Sequence, residues 1–488
     1  MAQTTYEEMP YATFALRLAD PNRLAAIARL YGVEVPAPDT ASVLEIGCGT
    51  GTNIIHLAER YPGSRCVGVD ISERHIAEGH KIALGSSCSN VELRCGDIRN
   101  AALGYGEFDY IICHGVYSWV APSVRQHLLS LISSALSENG IALVSYNVLP
   151  GWRSRGILRD IMQTGAMHRV LSTGSDTAES RLDGAMELLR LVAEKRGEVG
   201  DLYGTYIREG IERFQDSHPS YLFHEYLEEC NEPFLFSTFM RDAELHGLQF
   251  VSEAQPSMMS VDEMGEKVAS YLDGLGGDII AREQCIDVLR NRMFRETIVC
   301  RGSIPLKRDL KASVFTSLYF VSDLRKIGDE EGDSIYRDGL TERIVRTPND
   351  EHSALLHMIS EAGYAGSSFQ ELKESFTATT AGRHDERAVM HGLVRLWRWG
   401  LIDVALERAP IGAQVRGEPR VSRLARYQAL TGERFVTSLQ HRSFELTSAE
   451  RDMVVACDGT RRLDEMLGDS TERDTALDRL LALGFFYE

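Results

Sequence analysis

The sequence predicts an α/β fold: a mostly parallel sheet flanked by helices, with a helical insertion and a smaller α+β region after it. Three observations lead there. Strand-like and helix-like runs alternate from Ser42 to Trp152, as parallel βαβ units do. From Arg153 to about Glu244 the periodicity turns helical, and two more strand-like runs follow. Beyond residue 302 the texture changes again. There HGLVRLWRWGLIDVALE and TALDRLLALGFFYE each read as an amphipathic helix, a glycine and an apolar strand.

Taken in order, Met1 to Val33 is a polar start and then a helix. DPNRLAAIARLYG carries apolar residues at helical spacing, with Asp20 as its N-cap and Gly32 as its stop. SVLEIG is a strand, and TNIIHLAERYP is a helix that begins directly after a run of glycines. RCVGVDIS, VELRCGDI and the start of FDYIICHGVYSWV are strands, with the helix ERHIAEGHKIALG between the first two. PSVRQHLLSLISSALSENG is expected to stay helical to Gly140, and IALVSYNVLPGW opens with a strand. Crossovers between such parallel strands are right-handed. Within the insertion, at about 153–244, STGSDT (172–177) reads as a loop. GLQFVSEA and RETIVCRG are expected to close the sheet, separated by a helical stretch that includes DEMGEKVASYLDGL. That carries the first domain over residues 1–302. The remainder divides into winged-helix-like units at 303–410 and 411–488, with QVRGEPRVS (414–422) as a linker or wing.

Composition bounds the function. A chain of 488 residues is long for one core. Its 52 basic and 71 acidic residues give a net charge of −19, which repels phosphate backbones and disfavours broad nucleic-acid binding. No apolar run approaches the ~20 residues of a membrane span. MAQTTYEEMPYATF has no basic segment followed by an apolar one, so no secretory signal is expected. The nine cysteines form no CxxC pair and no metal-ligand spacing. They read as reduced thiols of a cytoplasmic protein without a metal.

The stretch VLEIGCGTGTN carries the most chemistry. Glycines at 47, 49 and 51 let the backbone approach a ligand closely and adopt positive φ. A nicotinamide fingerprint needs its last glycine three residues past the second, but position 52 is Thr. The pattern is instead Glu45-x-Gly47-x-Gly49-x-Gly51. It resembles motif I of the class I S-adenosylmethionine-dependent methyltransferases. Nucleotide-sugar and nicotinamide enzymes are the alternatives. Two acids fit at later strand ends. Asp70 ends VGVD, where a carboxylate can take both ribose hydroxyls. Asp97 ends CGDI, where the family uses an acid to accept from the adenine amino group, with Ile98 against the ring.

The resemblance extends further. TYEEMPYATF, ICHGVYSWV, YNVLPGW and HEYLEECNEPFLFSTFMRDAELHGLQFVSEA, with DGTRRLDEM in the tail, resemble one bacterial group. These are class I methyltransferases with a methyltransferase regulatory domain, which include rickettsial-type protein-lysine methyltransferases. The resemblance implies a Rossmann-like class I methyltransferase sheet, a regulatory-domain-like segment at about 215–300, and S-adenosylmethionine as cofactor. It implies cofactor contacts from Glu45, Gly47, Cys48, Gly49, Gly51, Asn53, Asp70, Ile71, Asp97, Ile98 and His114. Tyr6 and Tyr11 would fold over the cofactor as an N-terminal flap.

For the acceptor, Tyr117 and Trp119 follow the fourth strand, where aromatic faces could hold a cationic amine; plain core packing explains them equally well. Tyr146 and Asn147 end the fifth strand and would face the same crevice. His224 and Glu225 in HEY are candidates to take a proton from a lysine ammonium, or to tie the insertion to the sheet. Three functions compete. One is a protein-lysine N-methyltransferase. The second is a small-molecule O- or N-methyltransferase, with the insertion as a lid. The third is a cofactor-binding regulator whose tail binds DNA, which the mixed charge of RRLDEMLGDSTERD and GLVRLWRWG disfavours. Membrane partners are not expected.

Overall fold

The structure is a computed structural model. It describes residues 8–9, 13–100, 106–215, 217–339, 341–348, 350–379, 386–412, 414–415, 417–467 and 471–488. The alternating runs become the parallel strands β1 (Ser42–Ile46), β2 (Arg65–Asp70), β3 (Val91–Cys95), β4 (Phe108–Cys113) and β5 (Leu136–Asn147). The two later runs become β6 (Leu248–Glu253) and β7 (Phe294–Arg301). All seven form one sheet in the order β3-β2-β1-β4-β5-β7-β6. β7 lies antiparallel to β5, from Ile141↔Cys300 to Asn147↔Phe294, and β6 lies antiparallel to β7. The strand order reverses between β1 and β4, so the loops leaving these strands diverge and open a crevice at their carboxyl ends.

Both faces of the sheet are covered, which is why β1, β4 and β5 read as nearly continuous apolar runs. On one face, Val43, Tyr110, Ile112 and Leu143 pack with residues of the helices Pro21–Leu30, Thr52–Arg60 and Glu73–Gly85. The same core continues into Phe315, Phe320, Leu355 and Trp397 of the first C-terminal unit. On the other face, Leu44, Val69, Ile111 and Val144 meet Leu128, Ile132, Phe239 and Met240. The insertion has its own core around Met162, Leu189, Ile207 and Phe223. It is built from the helices Arg153–Thr173, Ala178–Val199, Leu202–Phe214 and Pro219–Leu227.

The helix after β4 ends earlier than the sequence suggests. It spans Pro122–Ala135, and β5 is entered at Leu136 rather than after Gly140. The residues SENG are captured by side chains. Ser137 donates its hydroxyl to Asp109 (2.7 Å), and Arg301 Nε donates to the Leu136 carbonyl (3.2 Å).

The segment that closes the sheet is anchored by charge. Arg295 on β7 is completely buried and pairs with Glu253 on β6 (2.6 Å). It also pairs with Glu283 (3.0 Å) and Asp287 (2.8 Å) of the helix Ile279–Arg290. Its guanidinium lies 3.9 Å over the Phe236 ring, and Arg292 approaches Asp287 at 3.3 Å.

The C-terminal region contains two three-stranded sheets and a hairpin, Phe435–Ser438 with Arg442–Glu445. The helices Glu386–Arg398 and Thr471–Ala482 each end near a left-handed glycine, Gly400 and Gly484. After the first lies the strand Asp403–Ala405; after the second, Phe486 and Tyr487 bridge to Val421 and Ile411. The last unit docks on the sheet domain. Glu59 accepts from the backbone N–H groups of Arg423 (2.6 Å) and Leu424 (3.0 Å), and so caps the helix Arg423–Thr431. Arg17 and Arg442 both pair with Asp323, joining the N-terminal segment to both C-terminal units.

Candidate active site

The crevice at the carboxyl ends of β1, β2 and β4 is a cavity of about 680 Å³. The glycine loop is its floor. Gly47, Gly49 and Gly51 all take positive φ, from +56° to +77°. A side chain at Gly47 would run into Val116, and one at Gly49 into Thr13. The loop is pinned to the end of β2: Gly47 and Cys48 donate to the Val69 carbonyl, and Gly49 donates to Asp70 Oδ2 (2.9 Å). Asp70 also accepts from the Ser72 amide (2.9 Å). Burial would raise its pKa, but hydrogen bonds from His75, Ser72 and Gly49 win and hold it below the usual carboxylate range.

Glu45 behaves in the opposite way. It is buried at the end of β1, with Oε1 accepting from Asn53 Nδ2 (3.0 Å) and Oε2 without a hydrogen-bond partner. Burial pushes its carboxyl up to about 8, against the downward pull of the Asn53 amide and the Ile54 N–H. Two acids 25 residues apart in sequence are thus shifted in opposite directions, because donors outweigh burial at Asp70 and burial outweighs donors at Glu45.

Most of the sequence-selected residues come together here. Glu45, Gly47, Cys48, Gly49, Asn53, Asp70, Ile71, Asp97, Ile98 and His114 line the cavity, as do Trp119, Asn147, His224 and Glu225. Asp97 is held by Arg99 Nε (2.9 and 3.0 Å), whose hydrogen bond lowers its pKa. His114 meets Glu296 at 3.2 Å. Gly51 is not in the lining; its left-handed turn starts the helix Thr52–Arg60. Tyr6 and Tyr11 lie outside the described residues.

Two expectations need correction. Tyr117 and Tyr146 are not on the cavity wall. Both are buried beneath it in an aromatic cluster, with Tyr146 stacked on Phe239 at 4.2 Å and Tyr117 edge-on to Phe234 and Phe239 at 5.2 Å. Neighbouring strand residues point to opposite faces, so Asn147 reaches the cavity and Tyr146 does not. His224 is at the cavity, but its ring is engaged: Nδ1 meets Glu228 at 2.7 Å and Nε2 meets the Met9 carbonyl at 2.6 Å. Both nitrogens are thus engaged by protein partners rather than turned to a substrate.

Sequence reasoning missed several lining residues. Thr13, His75, Arg99, Trp152, Arg155, Met293 and Phe294 all border the cavity. Trp152 ends the singled-out YNVLPGW and Arg155 stands just past it, so both carried a weak signal. Thr13 stood in the singled-out TYEEMPYATF, whereas Met293 and Phe294 carried no signal, because they reach the site from a distant part of the chain.

The residues fit the expected cofactor. An orphaned carboxylate oxygen at Glu45, an ionised acid at Asp70, a second acid at Asp97 and apolar side chains at Ile71 and Ile98 share one cavity. Among the described residues no group of three or more His, Cys, Asp or Glu could hold a metal, and no helix is long and apolar enough to cross a membrane.

Known proteins match along the chain. Three family models fit: a methyltransferase domain over residues 43–140, a predicted methyltransferase regulatory domain over 218–301, and "PKMT, C-terminal winged helix domain" over 417–476. An uncharacterized protein of Rickettsia prowazekii is 28% identical over 493 residues, covering 97% of this chain and 87% of its own length. A second from that organism is 36% identical over 240 residues, or 49% of this chain and 94% of the relative. The solved structure of PKMT2 from Rickettsia typhi in complex with AdoHcy is 26% identical, with a TM-score of 0.85. The match covers 98% of this chain and 100% of that one.

Proposed function

Because the chain belongs to the S-adenosylmethionine-dependent methyltransferases that carry a regulatory domain and a winged-helix tail, we propose that its acceptor is a lysine side-chain amine of a protein. The observation that carries this reading is the wall beyond the glycine loop. Trp119, Trp152, Met293 and Phe294 are apolar and aromatic lining of the cavity that Glu225 and Asn147 also line, and we read them as a sleeve. Such a sleeve suits a methylene chain that ends in an amine. The name PKMT2 of the full-length structural relative fits the same reading.

When bound, the cofactor supplies a methyl group on a sulfonium, a reactive donor that needs no metal. The remaining work belongs to the chain. A lysine arrives as an ammonium and attacks only after losing a proton. Glu225 is the group suited to receive it. Burial raises its pKa, against the pull of Arg155, which pairs with it at 2.5 Å. Arg155 lies 5.2 Å over the Trp152 ring, so the Trp119 face is left to attract the incoming cation. Asn147 donates to Asn231 Oδ1 (2.9 Å), which leaves its carbonyl oxygen to accept from the amine. Holding donor and acceptor in line supplies much of the acceleration. Glu225→Gln is therefore expected to lower kcat by about 10²-fold or more with little change in AdoHcy affinity, as measured by methyl transfer and by calorimetry. A loss of AdoHcy binding in this variant would move Glu225 out of the acceptor side.

The apolar share of the sleeve also suits a second reading, a small-molecule acceptor. Methyl-labelled S-adenosylmethionine added to protein and cell lysate separates the two. Label in protease-sensitive material that yields methyl-lysine on hydrolysis supports the protein acceptor. Label confined to small molecules removes it.

Glu45 gives a prediction on the cofactor side. Its raised pKa means that it carries a proton at neutral pH in the free protein. Stability from this group is present below about 4.5 and is lost as pH rises through about 8. A cationic amino group on the bound cofactor would favour the carboxylate and expel the proton. At pH 7 the enthalpy of AdoHcy binding is expected to vary with the ionisation enthalpy of the buffer. Glu45→Gln should abolish that variation; identical enthalpies in all buffers for the unmodified protein would contradict it.

A further inference from the structure

We infer that His441, carried by the last C-terminal unit, is a positioning residue for the cofactor site: it fixes the Asn53 amide, and through it the Glu45 carboxyl. His441 is fully buried at the turn of the hairpin Phe435–Ser438 with Arg442–Glu445. Its Nε2 lies 2.7 Å from Asn53 Oδ1, across 388 residues of chain. Asn53 stands on the first turn of the helix that follows the glycine loop.

The direction of each hydrogen bond follows from one unambiguous donor. The Leu16 backbone N–H donates to Asn53 Oδ1 at 2.9 Å. That fixes Oδ1 as the oxygen, so Nδ2 is the group that donates to Glu45 Oε1. His441 Nε2 must then carry a hydrogen to donate to the same oxygen. Its Nδ1, 2.5 Å from His56 Nδ1, is the acceptor of a neutral imidazole, and His56 Nδ1 is the donor. His56 Nε2, at the far end, has no hydrogen-bond partner. Burial lowers the pKa of both imidazoles, with Arg60 adding to it, which fits two neutral rings.

The chain therefore runs one way, from His56 to His441 to Asn53 to Glu45. Leu16 alone would hold the amide by one bond. Two donors on Oδ1 make a flipped amide, with its NH₂ facing donors and its oxygen facing Glu45, doubly unfavourable. The second donor comes from a unit none of whose described residues lines the cavity. The tail thus completes the site from behind.

The test uses the full chain and AdoHcy, and so does not depend on which acceptor is correct. His441 sits at φ +58°, so alanine and glutamine suffer the same backbone strain there and their comparison isolates the side chain. His441→Ala is expected to weaken AdoHcy binding about tenfold, the worth of one well-placed hydrogen bond. His441→Gln, whose amide N–H can replace Nε2, should recover most of that loss. Glu445→Ala, in an exposed position of the same hairpin, should bind like the unmodified protein. By reciprocity, AdoHcy should slow amide hydrogen exchange in residues 435–445 of the unmodified protein, a readout that stands even if the variants do not fold. Unchanged affinity in His441→Ala, equal losses in the alanine and glutamine variants, or hairpin exchange indifferent to AdoHcy would each overturn the proposal.

Discussion

Asp70→Ala is expected to weaken AdoHcy binding by about 10²–10⁴-fold, because two kinds of interaction would be lost together. The first is the pair of charge-assisted hydrogen bonds that a carboxylate at this strand end offers to a ribose diol, each worth about 1.5–3 kcal/mol. The second is internal. Asp70 accepts the Gly49 and Ser72 amides, so its removal also releases the glycine loop from the end of β2. Asp70→Asn separates these contributions. It keeps the size and one acceptor oxygen but loses the charge, and should bind between the unmodified and alanine proteins. Titration calorimetry with AdoHcy measures all three. Near-native affinity in Asp70→Ala would remove Asp70 from the cofactor site.

Arg295→Met is expected to destabilise the protein by about 3–5 kcal/mol, the usual effect of stranding partners of a buried ion pair. Three buried carboxylates, Glu253, Glu283 and Asp287, would be left with Arg292 as the cation that pairs with two of them. Thermal unfolding followed by circular dichroism should show a midpoint lower by on the order of 10 °C. The sign of the pH dependence is also set. Burial raises Glu283 to about 6 and also raises Asp287, despite the opposing pull of Arg295. Without Arg295 that pull disappears and both rise further. The variant should therefore recover part of its deficit as pH falls from 8 towards 5. A deficit that is constant across that range would mean that packing against Phe236, and not charge, is what Arg295 supplies.

The sheet and the cofactor loop were legible because their signals are local. Strand, glycine turn and helix follow one another within residues 42–60, and the acids at 70 and 97 stand just past the ends of their own strands or on them. Sequence reading lost accuracy where the answer depends on direction or distance. Tyr146 and Asn147 are adjacent and equally polar at their tips, yet the pleat sends one into the aromatic core and the other into the cavity. His224 looked like a free base because Met9, which occupies its Nε2, is 215 residues away. The helix before β5 seemed longer because Asp109 and Arg301, which draw SENG into the strand, lie outside any local window. The role inferred for His441 has no sequence signal at all; only the fold brings the hairpin to Asn53.

Glu59 caps a helix whose first residue is made 364 residues later. At about 5–20 residues per second, a ribosome needs roughly 20–70 s to deliver that helix after Glu59 has emerged. Until then one flank of the helix that follows the glycine loop lacks the cover that the last unit gives it. The cover of this helix is thus among the late contacts of the fold, and a chain that stops short of residue 423 leaves the Glu59 carboxylate without the helix it caps.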